Sequence, residues 1–356
     1  MLPYWLFFLV PAFAALGAAP VIRVRADGTR SLRVDAACIL TIVMLTIVIG
    51  FRYDVGGDWG NYFRYLFRAY GLSVSDLGDL EDPGYWALNL LSARLGLGMT
   101  GVNTFGALLF SIGLVLFCRS LPRPWLALAC AMPYLVTVVA MGYTRQSIAL
   151  GLSMVGLVML SRKRFVYFAI WVLLGALFHK SAVLLIPIAG LTVSRNRLLT
   201  VFLIAAATIL GYFTLLADST EHLIQTYVDQ NIKSAGAFIR LAMNAVPAVL
   251  FLLFRNRFTL AHSEKRLWLI YSILGLGLFF AFFLTSLSTA LDRMALYVIP
   301  LQLAVFAHLP DVLGAFGRRN QGFVALILFY YAIVLFVWLN FANHSHRWVP
   351  YQMGIG

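Results

Sequence analysis

Charge is what this sequence has least of. Only 12% of its 356 residues are Asp, Glu, Lys or Arg, about half the share of a typical soluble domain. Acids are the scarcer sign, 14 against 27 bases. Cysteine is nearly absent. Cys38, Cys118 and Cys130 lie in or beside apolar runs without paired or metal-ligand spacing; they read as small buried hydrophobes and exclude a disulfide scaffold. No P-loop, GxGxxG, GxSxG or HExxH motif stands in the context its chemistry requires, which argues against nucleotide chemistry. His344 and His346, at i and i+2, are too sparse to suggest zinc. Neither a metal nor a cofactor is expected.

Apolar residues fill the space: 62% of the chain is AVILMFWYC, and mean hydropathy is +0.87. That excludes a soluble enzyme and a disordered chain. A spanning helix needs roughly 17–25 mostly apolar residues. Candidate spans are 2–20, 35–51, 101–118, 124–142, 146–161, 165–178, 181–194, 198–217, 237–254, 267–285, 293–309 and 321–341. Several are short, and 165–194 also reads as one hairpin interrupted at His179-Lys180-Ser181. The expectation is an all-α, polytopic transmembrane bundle of about ten to twelve helices, one domain over 1–356. Residues 1–19 have no basic stretch before them, and Arg23 and Arg25 follow. They are expected to be a retained first helix rather than a signal peptide.

Sorting the charges by side tests this topology. Residues 21–34, 119–123, 162–164, 195–197, 255–266 and 310–320, with their flanks, hold seventeen of the 27 bases and four of the 14 acids. The whole net charge of +13 therefore falls on that side, and the other side balances at ten of each sign. Lys and Arg collect in cytoplasmic loops, so the basic side is expected to be cytoplasmic and both termini periplasmic. The excess marks orientation and contact with anionic lipid, not nucleic acid.

The balanced side carries the chemistry. Its long loop, 52–100, mixes acids and bases; a second, 218–236, has Ile224, Val228 and Ile232 at i, i+4, i+8 beside Tyr227, a spacing that suits an interfacial helix. Five clusters lie at helix ends, where ionisable groups are costly and informative. The first runs Arg52-Tyr-Asp54-Val-Gly-Gly-Asp58 to Tyr62; its glycines break the helix, and Asp58 is placed to cap the next one. The second, Glu81-Asp82-Pro83-Gly84, turns into an amphipathic helix over 84–95. In the third, Thr144 is placed to cap a helix with Arg145 and Gln146 in its first turn. A cation there opposes the helix dipole, which suggests an anion to bind. Ser147, Gly151, Ser153 and Gly156 follow and permit close packing. The fourth is His179-Lys180, and the fifth is Asp292-Arg293, whose plainest reading is a local ion pair. Arginine and lysine gathered at an outer mouth suit a diphosphate, and a lipid diphosphate reaches such a mouth laterally from the bilayer.

The ordered set Arg52-Tyr-Asp-Val-Gly-Gly-Asp58 with Tyr62, Asp82-Pro-Gly-Tyr85, Thr144-Arg-Gln-Ser-Ile-Ala149, Leu177-Phe-His-Lys-Ser-Ala182, Asp292-Arg293 and Trp348-Val-Pro-Tyr351 resembles the EpsG family of Wzy-like polysaccharide polymerases. Gly57 departs from the family pattern, where a Thr-like residue before the Asp is common. The resemblance implies a metal-independent glycosyltransferase of GT-C type in the bacterial inner membrane. It would join undecaprenyl-diphosphate-linked oligosaccharide units at the periplasmic face, in synthesis of exopolysaccharide, capsule or O-antigen. Donor and acceptor are then both lipid-linked, and a flippase and a chain-length co-polymerase are further expected partners. A diphosphate leaving group needs its developing charge stabilised. Arg52, Arg145, Lys180 and Arg293 are the candidates for that, with Gln146, Tyr62 and Glu81 beside them in substrate binding. The acceptor hydroxyl needs a base: Asp58, His179 or Asp54, the carboxylates being kept ionised by neighbouring arginines. A glycan ligase or acyltransferase on the same scaffold is the first alternative. A flippase of an anionic lipid-linked substrate is the second, but the sequence shows no convincing inverted repeat, and its suggestive charges gather at one face.

Overall fold

The computed structural model describes residues 1–21, 34–193, 236–285 and 288–354. The elements in order are α1 (Leu2–Gly17), α2 (Ala36–Gly50), α3 (Trp59–Ala69), α4 (Pro83–Arg94), α5 (Gly98–Arg119), α6 (Pro124–Ala131), α7 (Thr144–Ser161), α8 (Phe165–Ala176), α9 (Ile186–Val193), α10 (Ala237–Phe254), α11 (His262–Leu284), α12 (Ser288–Leu296), α13 (Pro300–Leu313) and α14 (Gln321–Phe341). No strand occurs among the described residues; one isolated bridge joins Arg52 to Met353. The expected span 198–217 and the stripe of Ile224, Val228 and Ile232 lie outside the described residues.

Five helices, α5, α7, α10, α11 and α14, are long and apolar enough to cross a membrane, and α12 with α13 makes a sixth as a bent pair. The expected spans at 2–20, 35–51, 124–142, 165–178 and 181–194 are shorter apolar helices of 10–17 residues, so the described residues hold five or six spans rather than ten to twelve. α7 is the centre: 83% of its window is buried, against 28% for α11 and 33% for α14. It packs between α5 and α8 on small residues. A Cβ added at Gly113 would lie 2.0 Å from the carbonyl of Gly151, and one at Gly151 would lie 2.6 Å from the Cα of Phe110. Helices in lipid associate through such close backbone approach.

Three expected spans are broken, each for a local reason. The span over 293–309 is two helices meeting at 52°. Pro300 has no N–H to give, and its ring clashes with the carbonyl four residues back; that residue is Leu296, the last of α12. The run 165–194 breaks at Leu177–His179 and resumes as a 3₁₀ turn, Lys180–Leu185, before α9. In 124–142 the α-helix gives way after Ala131 to a π-helical stretch, Met132–Ala140. Pro133 lies in its first turn, Thr137 Oγ1 donates to the carbonyl of Met132 at 2.9 Å, and the Trp348 indole donates to the carbonyl of Thr137 at 2.7 Å. Side chains inserting into the helix ladder favour such geometry.

Cross-links between loops fall into two sets. At one end Arg119 pairs with Asp35, Arg123 pairs with Asp311 at 2.6 Å, Ser263 bonds the carbonyl of Ser161, and Gln321 bonds that of Leu16. At the other, Gly84 bonds Leu177, Arg145 meets Asp82, and Gln146 reaches Arg293. These are the basic and the balanced sides of the charge sort, with no bond of either set crossing to the other. Replacing Gly151 by Val should wedge α5 from α7 and cost roughly 1–3 kcal/mol. That would appear as a lowered melting temperature in lipid nanodiscs. Gly17→Ala, with open space around it, should leave the melting temperature unchanged.

Candidate functional site

Asp82 stands where the 81–84 turn enters α4, with a left-handed backbone at φ 56° that aspartate tolerates better than most residues. Its side chain is buried. Pro83 takes the first helical position, where no N–H is needed. Gly84 donates its N–H to the carbonyl of Leu177 at 2.8 Å, and an added Cβ would sit 3.0 Å from that residue. The close approach seats the Asp82 carboxylate against the 177–180 turn. The backbone N–H of Lys180 donates to Oδ1 at 3.0 Å, and His179 Nδ1 lies 3.5 Å from Oδ2. Arg145 Nη1 donates to Oδ2 at 3.0 Å. Lys180 Nζ reaches the exposed Glu81 at 3.3 Å. Three expected site residues, Arg145, His179 and Lys180, thus converge on Asp82, and Lys180 ties in a fourth, Glu81. The sequence placed Asp82 in a cluster and in the family motif, but as a turn acid without a role in the site.

Arg145 lies in the first turn of α7, as expected. The opposing dipole is offset by Asp82 and by two ring faces, its guanidinium carbon being 4.9 Å from the centroid of Tyr65 and 5.9 Å from that of Tyr85. Tyr62 is buried edge-on to Tyr85 at 5.8 Å. Thr144 does not cap the helix: Tyr143 holds the cap position, and Thr144 Oγ1 accepts instead from Arg52 Nη2 at 2.8 Å. Arg52 departs furthest from expectation. It is 1% exposed, and it also donates to the carbonyl of Ile49 at 2.5 Å and to Asn103 at 2.9 Å. Burial draws its pKa down to about 10, which leaves it cationic at neutral pH. It bolts α2, α5 and α7 together beneath the site rather than facing the mouth.

The turn after α2 is held by the chain's last segment. Tyr53 N–H donates to the carbonyl of Gln352, Gly56 N–H to that of Arg347, and Gly354 N–H to that of Phe51, at 2.9–3.0 Å. Gly56 has φ 117°, and a Cβ there would meet the carbonyl of Met141 at 2.2 Å, so no other residue fits. Arg347 Nη1 donates to the carbonyl of Gly57 at 3.0 Å. Asp58 follows at the cap position of α3 but makes no capping hydrogen bond. Asn61 donates to it at 3.4 Å. Burial pushes its carboxyl above the usual range, opposed by Arg293 first, then Arg145, Asn61 and Arg347. The arginines expected to hold it ionised therefore work against desolvation. Asp54 is exposed in a left-handed turn position and joins none of these bonds.

Asp292 and Arg293 do not pair. Neighbours on a helix do not face each other, and Asp292 instead takes a two-pronged bond from Arg240 of α10, both contacts at 2.5 Å. Arg293 is exposed. Its carbonyl accepts from Gln146 Nε2 at 3.0 Å, and Asn244 holds the carbonyl of Ala295 at 2.8 Å. Gln146 is thus buried support for α12 rather than a surface contact. Residues for which the sequence suggested no role in the site are Asp82, Tyr65, Tyr85, Arg240 and Arg347. For Asp82 and Tyr85 the Asp82-Pro-Gly-Tyr85 motif was a usable signal; the others had none.

Arg52→Ala should strand Asn103 and Thr144 in the interior and lower stability by roughly 3 kcal/mol. Arg293→Ala, on an exposed side chain, should stay within about 0.5 kcal/mol of the parent. Thermal denaturation in nanodiscs compares the two directly.

A family model described as the EpsG family matches residues 35–353, which takes in every element of this site. No curated protein and no solved structure matches the chain significantly. By a match that covers nearly its whole length, the chain belongs to the EpsG family.

Proposed function

We propose that this protein is a polysaccharide polymerase of the bacterial inner membrane, with its basic end in the cytoplasm and the Asp82 end, together with both termini, at the periplasmic face. The scaffold would be of GT-C type and act as a single domain. The substrates are oligosaccharide units carried on a polyprenyl diphosphate, one as donor and one as acceptor. The observation that carries this reading is the gathering of Arg145, His179 and Lys180 on Asp82 at one end of an apolar bundle, with Arg145 also among the cations facing Asp58.

The chemistry follows from those positions. Arg145, Lys180 and Arg293 hold the diphosphate of the donor. The acceptor hydroxyl attacks the anomeric carbon while the carbon–oxygen bond to the diphosphate breaks, and polyprenyl diphosphate leaves with the bonding electrons. Cations fixed in place before the reaction stabilise that charge without having to reorganise. Asp58 takes the hydroxyl proton; its uncapped, half-buried carboxylate has lone pairs to accept it. His179, oriented by Asp82, is the alternative base. Arg52, Gln146 and Tyr62 act from below by fixing the helices that carry the clamp.

Reconstitution with a purified lipid-diphosphate oligosaccharide should give a ladder of polymers. Arg145→Ala and Arg293→Ala should lose it, while Asp54→Ala should keep it. Intact substrate moving between leaflets without a ladder would overturn the polymerase reading in favour of a flippase. A base must be deprotonated to work, so initial rate should rise with pH through a value above the usual aspartate range, about 3.9. Asp58→Asn should remove that limb. If His179→Ala removes it and Asp58→Asn does not, the histidine is the base.

A further inference from the structure

Helix α3 carries two apolar edges, of which the protein covers one. Tyr62, Leu66 and Ala69 are buried, facing α4 and α5. Phe63, Phe67 and Tyr70 repeat the same i, i+4, i+7 spacing one residue on, and all three are exposed, Phe67 at 73%. Leaving such a ridge in water is unfavourable in proportion to the apolar surface left uncovered. Arg64 and Arg68 each stand one residue further round. Arg64 donates to Asn61, and among the described residues neither arginine is in an ion pair with a carboxylate.

We propose that α3 lies in the bilayer interface at the site's end of the bundle, its aromatic ridge in the headgroup–acyl boundary and Arg64 and Arg68 on lipid phosphates. The occupant follows from the chemistry of the helix. Phenylalanine rings offer no hydrogen-bonding edge for sugar hydroxyls, so the ridge suits acyl chain. Two cations without a partner acid suit phosphate, and basic side chains near an anionic surface are drawn to it. The neighbouring surface is of the same kind: α5, which α3 packs against, exposes Phe105 and Leu108 from a membrane-crossing helix. Amphipathic helices of this make-up sit roughly 5–10 Å into the boundary. At ~1.5 Å per residue, the eleven residues of α3 would lie along it. Asp58 at the head of this helix, and Tyr65 against Arg145, are then held at headgroup level by the lipid itself.

The three native cysteines are buried, so single cysteines at exposed positions can take a spin label. Phe63→Cys, Phe67→Cys and Asn61→Cys would each be labelled and placed in nanodiscs of phosphatidylethanolamine and phosphatidylglycerol. Collision rates with oxygen and with a water-soluble nickel chelate then report depth. Labels at 63 and 67 should favour oxygen and be shielded from nickel, and the label at 61 should show the reverse ratio. Nickel reaching 63 and 67 as freely as 61 would overturn the proposal and leave the ridge to a glycan. Shielding of 63 and 67 from both reagents would overturn it in favour of a protein contact. The measurement needs no turnover, so its failure is distinct from failure of the polymerase reading.

Discussion

Everything at the functional end leans on one buried carboxylate. Asp82 sits out of water in a strained backbone position, and a charge placed there is tolerable only if fully engaged. Its partners come from separate parts of the chain: Arg145 from the head of α7, and His179 and the Lys180 amide from the turn after α8. The dependence runs both ways. Arg145 opposes its own helix dipole, and Asp82 is its sole carboxylate contact among the described residues. Breaking a buried pair of this kind strands the surviving charge, at a cost of several kcal/mol. Three helix ends are therefore held in register by a single side chain, which also fixes where the cations point.

The interior beneath the site is built to keep that register. α7 is buried along most of its length and meets α5 and α8 through glycines rather than large side chains, which leaves its axis little freedom. Arg52 adds a polar bolt across α2, α5 and α7. Gln146 and Asn244 hold the carbonyls of α12, so the exposed Arg293 rides on an anchored helix. The surface cations can be few because the backbone under them is fixed.

Much of this was legible in the chain. Among the described residues hydropathy located most of the apolar helices to within a few residues, although only five or six are long enough to span where ten to twelve were expected. The charge sort divided the loops into the two sets that the hydrogen bonds join. The losses were of two kinds. Helix breaks at Pro300 and Pro133 were hidden by uninterrupted apolarity, since proline changes the path of a helix without changing its hydropathy. Partner choice was the other loss. Asp292 was matched to its neighbour in sequence, whereas helical geometry sends it to Arg240, 52 residues away. Arg52 looked like a surface cation because nothing local shows that Asn103 and Thr144 will enclose it. Asp82 was read as a turn former, which it is, but its second task depends on a contact 97 residues off.

The closing segment of the chain has a consequence in time rather than in space. The glycine turn that carries Asp58 is completed by backbone bonds from Arg347 and Gln352, and Arg347 contacts Gly57 across 290 residues of sequence. Tyr4 donates to the carbonyl of Trp348 across 344 residues. Synthesis proceeds at roughly 5–20 residues per second, so this turn waits about fifteen seconds to a minute for its other half. During that interval the earlier helices can pack and Asp82 can gather its partners, while the turn before Asp58 stays open. A chain cut short of residue 347 would therefore lack the bonds that close the turn before Asp58.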